Sequence, residues 1–338
     1  MSNNHYNTDI AIIGAGPAGL FAVFQAGMLR MRTIVVEALE NIGGQCSALY
    51  PEKPIYDIPA YPQISGQDLT DKLLAQAAAF SPQYLCNETI EKITGASGNF
   101  SLISKKNTVI NAKAILIAAG GGAFGPNRPP LSDIELFEGK SVFYHVSNKE
   151  IFRNKRVVIA GGGDSAADWA IELSSIAANV ALIHRRAKFR CSPESQARVE
   201  ELTKAGKIQL VVPYQLHSIS GENGQIKTVT VQDLQNNSLE LQADFLLPFF
   251  GLSMDLGPIA NWGLGLSQKH INVSASTMET SQTGIFAIGD IATYPGKLKL
   301  ILCGFSEAAM AAHSIYPLIH PDQHLNFEYS TSKGIPNS

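Results

Sequence analysis

The feature that most constrains this chain is a strand-turn-helix signature written twice, once at the N-terminus and once near the middle. The first copy runs Asp9-Ile-Ala-Ile-Ile-Gly14-Ala-Gly16-Pro17-Ala-Gly19 and, after a helix-compatible stretch, closes on Thr33-Ile-Val-Val-Glu37. The second runs Arg156-Val-Val-Ile-Ala-Gly161-Gly-Gly163-Asp164-Ser165-Ala166 and closes on Val180-Ala-Leu-Ile-His184-Arg185-Arg186. In each copy an apolar strand feeds a glycine turn where backbone N–H groups can approach a pyrophosphate, and the helix that follows turns its positive end toward that charge. Ala166 stands where the first copy has Gly19, a place that needs only a small residue for helix and strand to pack. The expected fold class is therefore α/β, with two Rossmann-like three-layer dinucleotide-binding domains.

The two copies are equipped for different ligands. Glu37 and His184 fall at the same offset from the first glycine, but their chemistry is reversed. A carboxylate at that place accepts hydrogen bonds from ribose hydroxyls and repels a 2′-phosphate. His184, Arg185 and Arg186 instead offer donors and positive charge, and the planar guanidinium fork suits a phosphate. The second site is thus predicted to take NADPH. A third motif, Thr283-Gly-Ile-Phe-Ala-Ile-Gly-Asp290, delivers an aspartate at the end of a short apolar strand, ahead of a helical run from Gly304 to Ile315. An aspartate so placed can accept a hydrogen bond from a ribitol hydroxyl, which makes the first nucleotide FAD rather than NAD.

A chain of 338 residues exceeds one comfortable core, and its 45% hydrophobic content is enough to fill two. Two apolar strands run into glycine near Gly120 and Gly251, and they mark crossings between domains if the second domain is inserted into the first. The expected division is an FAD domain of residues 1–118 plus 248–338, interrupted by an NADPH domain of 119–247. Net charge is −3 with 16% charged residues, which leaves no overall basic footprint for nucleic acid or an anionic membrane. The polar N-terminus runs straight into the first strand, so no signal peptide is expected, and no apolar run is long enough for a membrane span. A cytoplasmic location is the default. Cys46, Cys86, Cys191 and Cys303 are dispersed, with no CxxC pair, so neither a structural disulfide nor a metal site is expected.

Together, Gly14 to Gly19, Glu37, Gly43-Gly44-Gln45-Cys46, Gly161 to Ala166, His184-Arg185-Arg186 with Phe189-Arg190, and Gly289-Asp290 resemble the thioredoxin reductase-like flavoproteins over nearly the whole chain. The resemblance implies an NADPH domain inserted into an FAD domain, Gly44 and Gln45 at the flavin, Arg190 at the NADPH phosphate, and a homodimer. The best-known member carries a Cys-x-x-Cys pair upstream of its second glycine motif. Here that stretch is Phe143-Tyr-His-Val-Ser-Asn148, without a cysteine, and a dithiol relay needs two thiols in one site. Cys46 reads as a small packed residue near the flavin rather than a redox thiol.

Two further segments, Leu49-Tyr50-Pro-Glu-Lys-Pro-Ile-Tyr-Asp57 and Phe327-Glu-Tyr329-Ser-Thr331-Ser332, resemble the ferredoxin–NADP⁺ reductases built on that scaffold. This second resemblance implies that Tyr50 stacks on one flavin face and Tyr329 covers the other. It also implies Asp57 as a flavin-side acceptor and Thr331 as a hydroxyl near the reactive edge. The activity expected is electron transfer between NADPH and ferredoxin, by hydride transfer to the flavin followed by single-electron steps. Lys297 and Lys299 are candidates for a basic docking rim. Other acceptors (flavodoxin, a quinone, oxygen or a protein disulfide) and a non-catalytic flavin redox sensor are the alternative readings.

Overall fold

The structure, a computed structural model, describes residues 4–325 and Gly334. The chain divides into two compact units, residues 1–124 with 254–338, and 125–253. It crosses between them at Ala123–Pro126 and Leu252–Asp255, two short extended segments. The crossings therefore fall a few residues beyond the expected boundaries at 118 and 247, because each buried strand continues through a glycine turn into another extended segment before the next unit begins.

The discontinuous unit is built on a seven-stranded sheet. Its parallel heart places Gln83–Leu85, Thr33–Val36, His5–Ile13 and Val109–Ile117 side by side, with Ile285–Ala287 also paired in parallel to Val109–Ile117. The register sets Ile10 beside Thr33 and Ile13 beside both Val36 and Ile117. Asn99–Ser104 and Ile90–Ala96 extend the sheet as an antiparallel hairpin. Strand side chains alternate between faces. Ile10 and Ile12 accordingly join the core formed with Val23, Ala26, Ala308 and Ile315, from the helices Pro17–Met28 and Ile301–Ile319. Ala11 and Ile13 instead enter the opposite core with Phe100, Leu102, Ile271 and Ile285. A third helix, Gly66–Ala78, starts on Ser65, whose hydroxyl accepts from the Asp68 backbone N–H at 3.0 Å. Its Leu69 and Leu73 pack with Leu20 of the first helix.

The central unit repeats the plan in smaller form. Four parallel strands run in the order Ile208–Val211, Asn179–Ile183, Arg156–Ala160, Phe245–Pro248. One face carries the helices Asp164–Leu173 and Pro193–Lys204, and Trp169, Leu173 and Val199 enter the core there. The other face is covered by the antiparallel sheet Gln215–Glu222, Gln225–Gln232, Ser238–Gln242, which supplies Ile226, Val229 and Val231. Each unit is thus a three-layer α/β body with its first glycine turn at the carboxyl ends of its parallel strands, where such folds bind ligands. No helix among the described residues is long and apolar enough to cross a membrane.

Candidate functional site

In the discontinuous unit the first strand ends in a turn that only glycine can make. Gly14 sits at φ +107°, and a Cβ there would lie 2.4 Å from the Ala118 carbonyl oxygen. A Cβ on Gly19 would lie 2.1 Å from the Gly14 carbonyl oxygen, so this residue lets the helix close on the turn that precedes it. Gly16 faces Gly44, at φ +58°, where an added Cβ would come 3.0 Å from the Gly16 Cα. The helix Pro17–Met28 has no side-chain cap. Its first N–H groups thus remain available to a ligand, and Pro17 at the start gives up none that the helix would have used.

Glu37 is 6% exposed and holds this turn together. One carboxylate oxygen accepts from Ala15 N–H at 2.8 Å, the other from Leu39 N–H at 2.9 Å. Each oxygen keeps a lone pair for a ribose hydroxyl. Gly14, Gly16, Pro17, Glu37, Gly44, Gln45, Tyr50 and Asp290 all line one cavity of about 350 Å³. Its remaining wall is largely apolar and includes Ile90, Leu256, Trp262 and Leu300. An uncapped helix start, a buried carboxylate and broad apolar walls in one cavity fit a flavin dinucleotide, because each answers a different part of that molecule.

Tyr50 is half-buried, and its hydroxyl accepts from the Cys46 thiol at 3.6 Å. Burial drives its ionisation far above the ordinary range, with the nearby Cys46, Asp290 and Asp57 adding to it, so it stays a neutral phenol. Cys46 is 1% exposed, and its thiol is pushed up to about 11, chiefly by burial. The Asp290 charge adds to that shift and the bond to Tyr50 partly offsets it. Nucleophilicity belongs to the thiolate. Cys46 is therefore expected to resist iodoacetamide at neutral pH in the folded protein and to react on unfolding, a difference that peptide mass mapping reads directly. All four cysteines are free. Asp57 is exposed and lies outside the residues that line the cavity, while Tyr329 and Thr331 fall outside the described residues.

The glycine turn of the central unit is arranged differently. A Cβ on Gly161 would lie 2.6 Å from the Phe249 carbonyl oxygen and 2.9 Å from the Ala166 Cβ, whereas Gly163 has open space around it. The helix Asp164–Leu173 again lacks a side-chain cap. Asp164 turns its carboxylate to the Ser192 N–H at 2.8 Å, Ser165 is exposed, and Ala166 is fully buried beneath the turn.

His184 is not presented to solvent as expected. It is 8% exposed, its ring packs against Gly162 and lies 5.2 Å from the Phe189 ring, and its Nε2 is sealed without a partner. Desolvation, followed by the charges of Arg190, Arg185 and Arg186, holds its pKa below the ordinary value. His184 therefore acts as a neutral wall of the turn. Arg185, Arg186 and Arg190 are exposed, and the Arg190 N–H binds the Gly162 carbonyl at 2.7 Å, which tethers the arginine segment to the glycines.

Several elements of the site were not legible in sequence. The wall residues Leu256 and Trp262 follow the return crossing, and only a Gly-Pro pair at 257–258 hints at a turn there. Lys297, expected on a docking rim, instead turns its side chain inward, 5% exposed and paired with the buried Glu307; two oppositely charged residues on either side of a helix start were the signal available. Lys299 contacts His270, with its Nζ 2.8 Å from the imidazole Nε2. Among the described residues no cluster of His, Cys, Asp or Glu is arranged to hold a metal ion.

Residues 8–313 match the pyridine nucleotide-disulphide oxidoreductase family. The chain is similar to a ferredoxin–NADP reductase of Granulibacter bethesdensis, with 59% identity over 98% of this chain and 95% of the relative. It is also similar to a ferredoxin–NADP reductase of Acidiphilium cryptum, with 58% identity over 98% of both chains. Among solved structures, Lactococcus lactis thioredoxin reductase superposes with a TM-score of 0.80 at 24% identity, covering 93% of this chain and 99% of that one. At that identity the likeness speaks for the fold, which is the two-domain dinucleotide-binding architecture described above. With the family match spanning most of its length and these relatives matching nearly end to end, the chain belongs to the pyridine nucleotide-disulphide oxidoreductases and, within them, to the ferredoxin–NADP reductases.

Proposed function

We propose that this protein transfers electrons between NADPH and ferredoxin, with FAD in the discontinuous unit and NADPH on the central one. The observation that carries the cofactor assignment is the opposed chemistry of the two glycine turns. A buried carboxylate, Glu37, braces the first, and three exposed arginines flank the second. The acceptor assignment is supported by the names of the relatives and by Phe143–Asn148, which contains no thiol to relay electrons to a disulfide.

Bound FAD supplies the conversion between a two-electron hydride and single electrons, and the protein's part is to bind, orient and exclude water. In this reading Gly14 shapes the turn, since its own N–H is held by the Val36 carbonyl, while Gly16 and the uncapped helix start beyond Pro17 would offer backbone N–H groups to the pyrophosphate; Glu37 would accept from the ribose and Asp290 from the ribitol. Gly44 and Gln45 would border the flavin, and Tyr50, a neutral phenol on the cavity wall, would offer its ring to one face of that flat π-system. Gly161, Gly163 and the start of the helix at Asp164 receive the NADPH pyrophosphate, and Arg185, Arg186 and Arg190 its 2′-phosphate. Asp57, Thr331 and Tyr329 belong to the proposal on resemblance, with Tyr329 covering the second ring face and yielding to nicotinamide. A homodimer in the cytoplasm completes it.

The test is an anaerobic one. NADPH should bleach the yellow protein rapidly and NADH slowly, and added oxidised ferredoxin should restore the colour. Bleaching without restoration would rule out ferredoxin as acceptor. Tyr329→Ala should change both the bleaching rate and the preference for NADPH over NADH; a variant unchanged in both leaves no role for that ring as a gate.

A further inference from the structure

The helix Ile301–Ile319 carries a buried carboxylate that the reading above does not use. Glu307 is 2% exposed and lies among Ala308, Ala311 and Ala312, at a depth where a charge survives only if paired and fully hydrogen-bonded. Its oxygens receive three donors. One takes the Gly289 backbone N–H at 2.7 Å; the other takes the Tyr294 hydroxyl at 2.8 Å and the Lys297 ammonium. The Lys297 side chain is itself 5% exposed. Its Nζ also lies 5.7 Å from the centre of the Tyr294 ring.

The placement of these donors matters more than the existence of the pair. Gly289 adopts φ +73° and is followed directly by Asp290 on the cavity wall, while Lys297 stands three residues before Leu300, also on that wall. One side chain therefore fixes both ends of the 289–300 segment against the helix that backs the cavity. A buried ion pair is a poor way to gain stability, since apolar residues of similar volume usually serve as well or better. It is a good way to specify one geometry, because the backbone N–H of Gly289 has to meet an acceptor at a fixed point.

We propose that Glu307, neutralised by Lys297, is a positioning residue for the flavin site that sets Asp290 and the Leu300 segment through its bond to the Gly289 N–H. This rests on the assignment of FAD to that cavity. An apolar pair should then support folding but not flavin placement, whereas a neutral pair that keeps an acceptor oxygen should support both.

The experiment compares Lys297→Met/Glu307→Leu with Lys297→Met/Glu307→Gln and the wild type. It measures the melting temperature of each apoprotein, the Kd for FAD by titration of the apoprotein, and the visible circular dichroism of the bound flavin. The leucine variant, which strips the Gly289 N–H and the Tyr294 hydroxyl of their acceptor, is expected to fold with a moderately lower melting temperature and to bind FAD about tenfold or more weakly, with an altered dichroism. The glutamine variant is expected to recover most of the affinity and the wild-type dichroism. Equal FAD affinity and dichroism in the two double variants would overturn the proposal. If the leucine variant fails to fold, a glutamine variant that melts normally yet has lost tenfold in affinity overturns it, and one that keeps both supports it. A wild-type apoprotein that takes up no FAD would instead remove the assignment on which this inference stands.

Discussion

Replacing Arg185 or Arg186 by alanine is expected to raise the KM for NADPH while leaving NADH use nearly unchanged. A charge-assisted hydrogen bond is worth roughly 1.5 to 3 kcal/mol, which corresponds to a loss of about ten- to a hundredfold in affinity. The structure sharpens this expectation. Both arginines are exposed, so removing either leaves no buried group unpaired and the effect should fall on the ligand alone. His184→Ala is the contrasting case. Its ring is buried against Gly162, and truncation opens a gap beneath the glycine turn that both nucleotides need. The histidine variant should therefore weaken NADPH and NADH together. Steady-state kinetics with the two nucleotides separate these outcomes, and equal losses from Arg185→Ala with both would remove the 2′-phosphate assignment.

Glu37→Ala is expected to yield protein that purifies largely without flavin, with FAD affinity at least about a hundredfold below wild type. Two effects act in the same direction. The substitution takes away the ribose acceptor, and it leaves Ala15 N–H and Leu39 N–H without the carboxylate oxygens they now reach at 2.8 and 2.9 Å. An unsatisfied buried donor costs about 1 to 3 kcal/mol, so the glycine turn itself should relax before any ligand arrives. Glu37→Gln keeps one acceptor oxygen but sets an amide N–H against a backbone N–H, and it should fall between alanine and wild type. The ratio of flavin to protein absorbance reads the series. Full flavin occupancy in Glu37→Ala would show that neither the turn nor the ribose depends on this carboxylate.

The parts of the fold legible in sequence were those where backbone geometry leaves one residue type. Gly14 and Gly19 stand where any Cβ would collide with a carbonyl oxygen, and Ala166 where a small side chain fits beneath the second turn. Glu37 was legible because its position is fixed by the strand that delivers it. Roles that depend on burial were harder to read. His184, Arg185 and Arg186 form one polar run in sequence, yet the strand Asn179–Ile183 leaves the first against the glycine turn and the next two outside.

Lys297 and Lys299 look equivalent in Pro-Gly-Lys-Leu-Lys, but only Lys297 is carried inward to meet a carboxylate ten residues on. Nothing in a lysine's own chemistry announces which of the two will be buried. The domain crossings shifted for a related reason. Hydrophobic runs reveal where a strand is buried, whereas the short extended segments at Ala123–Pro126 and Leu252–Asp255 have no such pattern to mark their ends. Asp57 is exposed and stands outside the cavity wall, a placement that no pattern in its loop announces.

The most direct test of the account is NADPH oxidation by one purified preparation, followed in parallel with ferredoxin coupled to cytochrome c and with thioredoxin coupled to a disulfide dye. Rapid turnover that requires ferredoxin is expected, with no response to thioredoxin. Turnover with thioredoxin and none with ferredoxin would contradict it and would require a thiol pair that the sequence at Phe143–Asn148 does not supply.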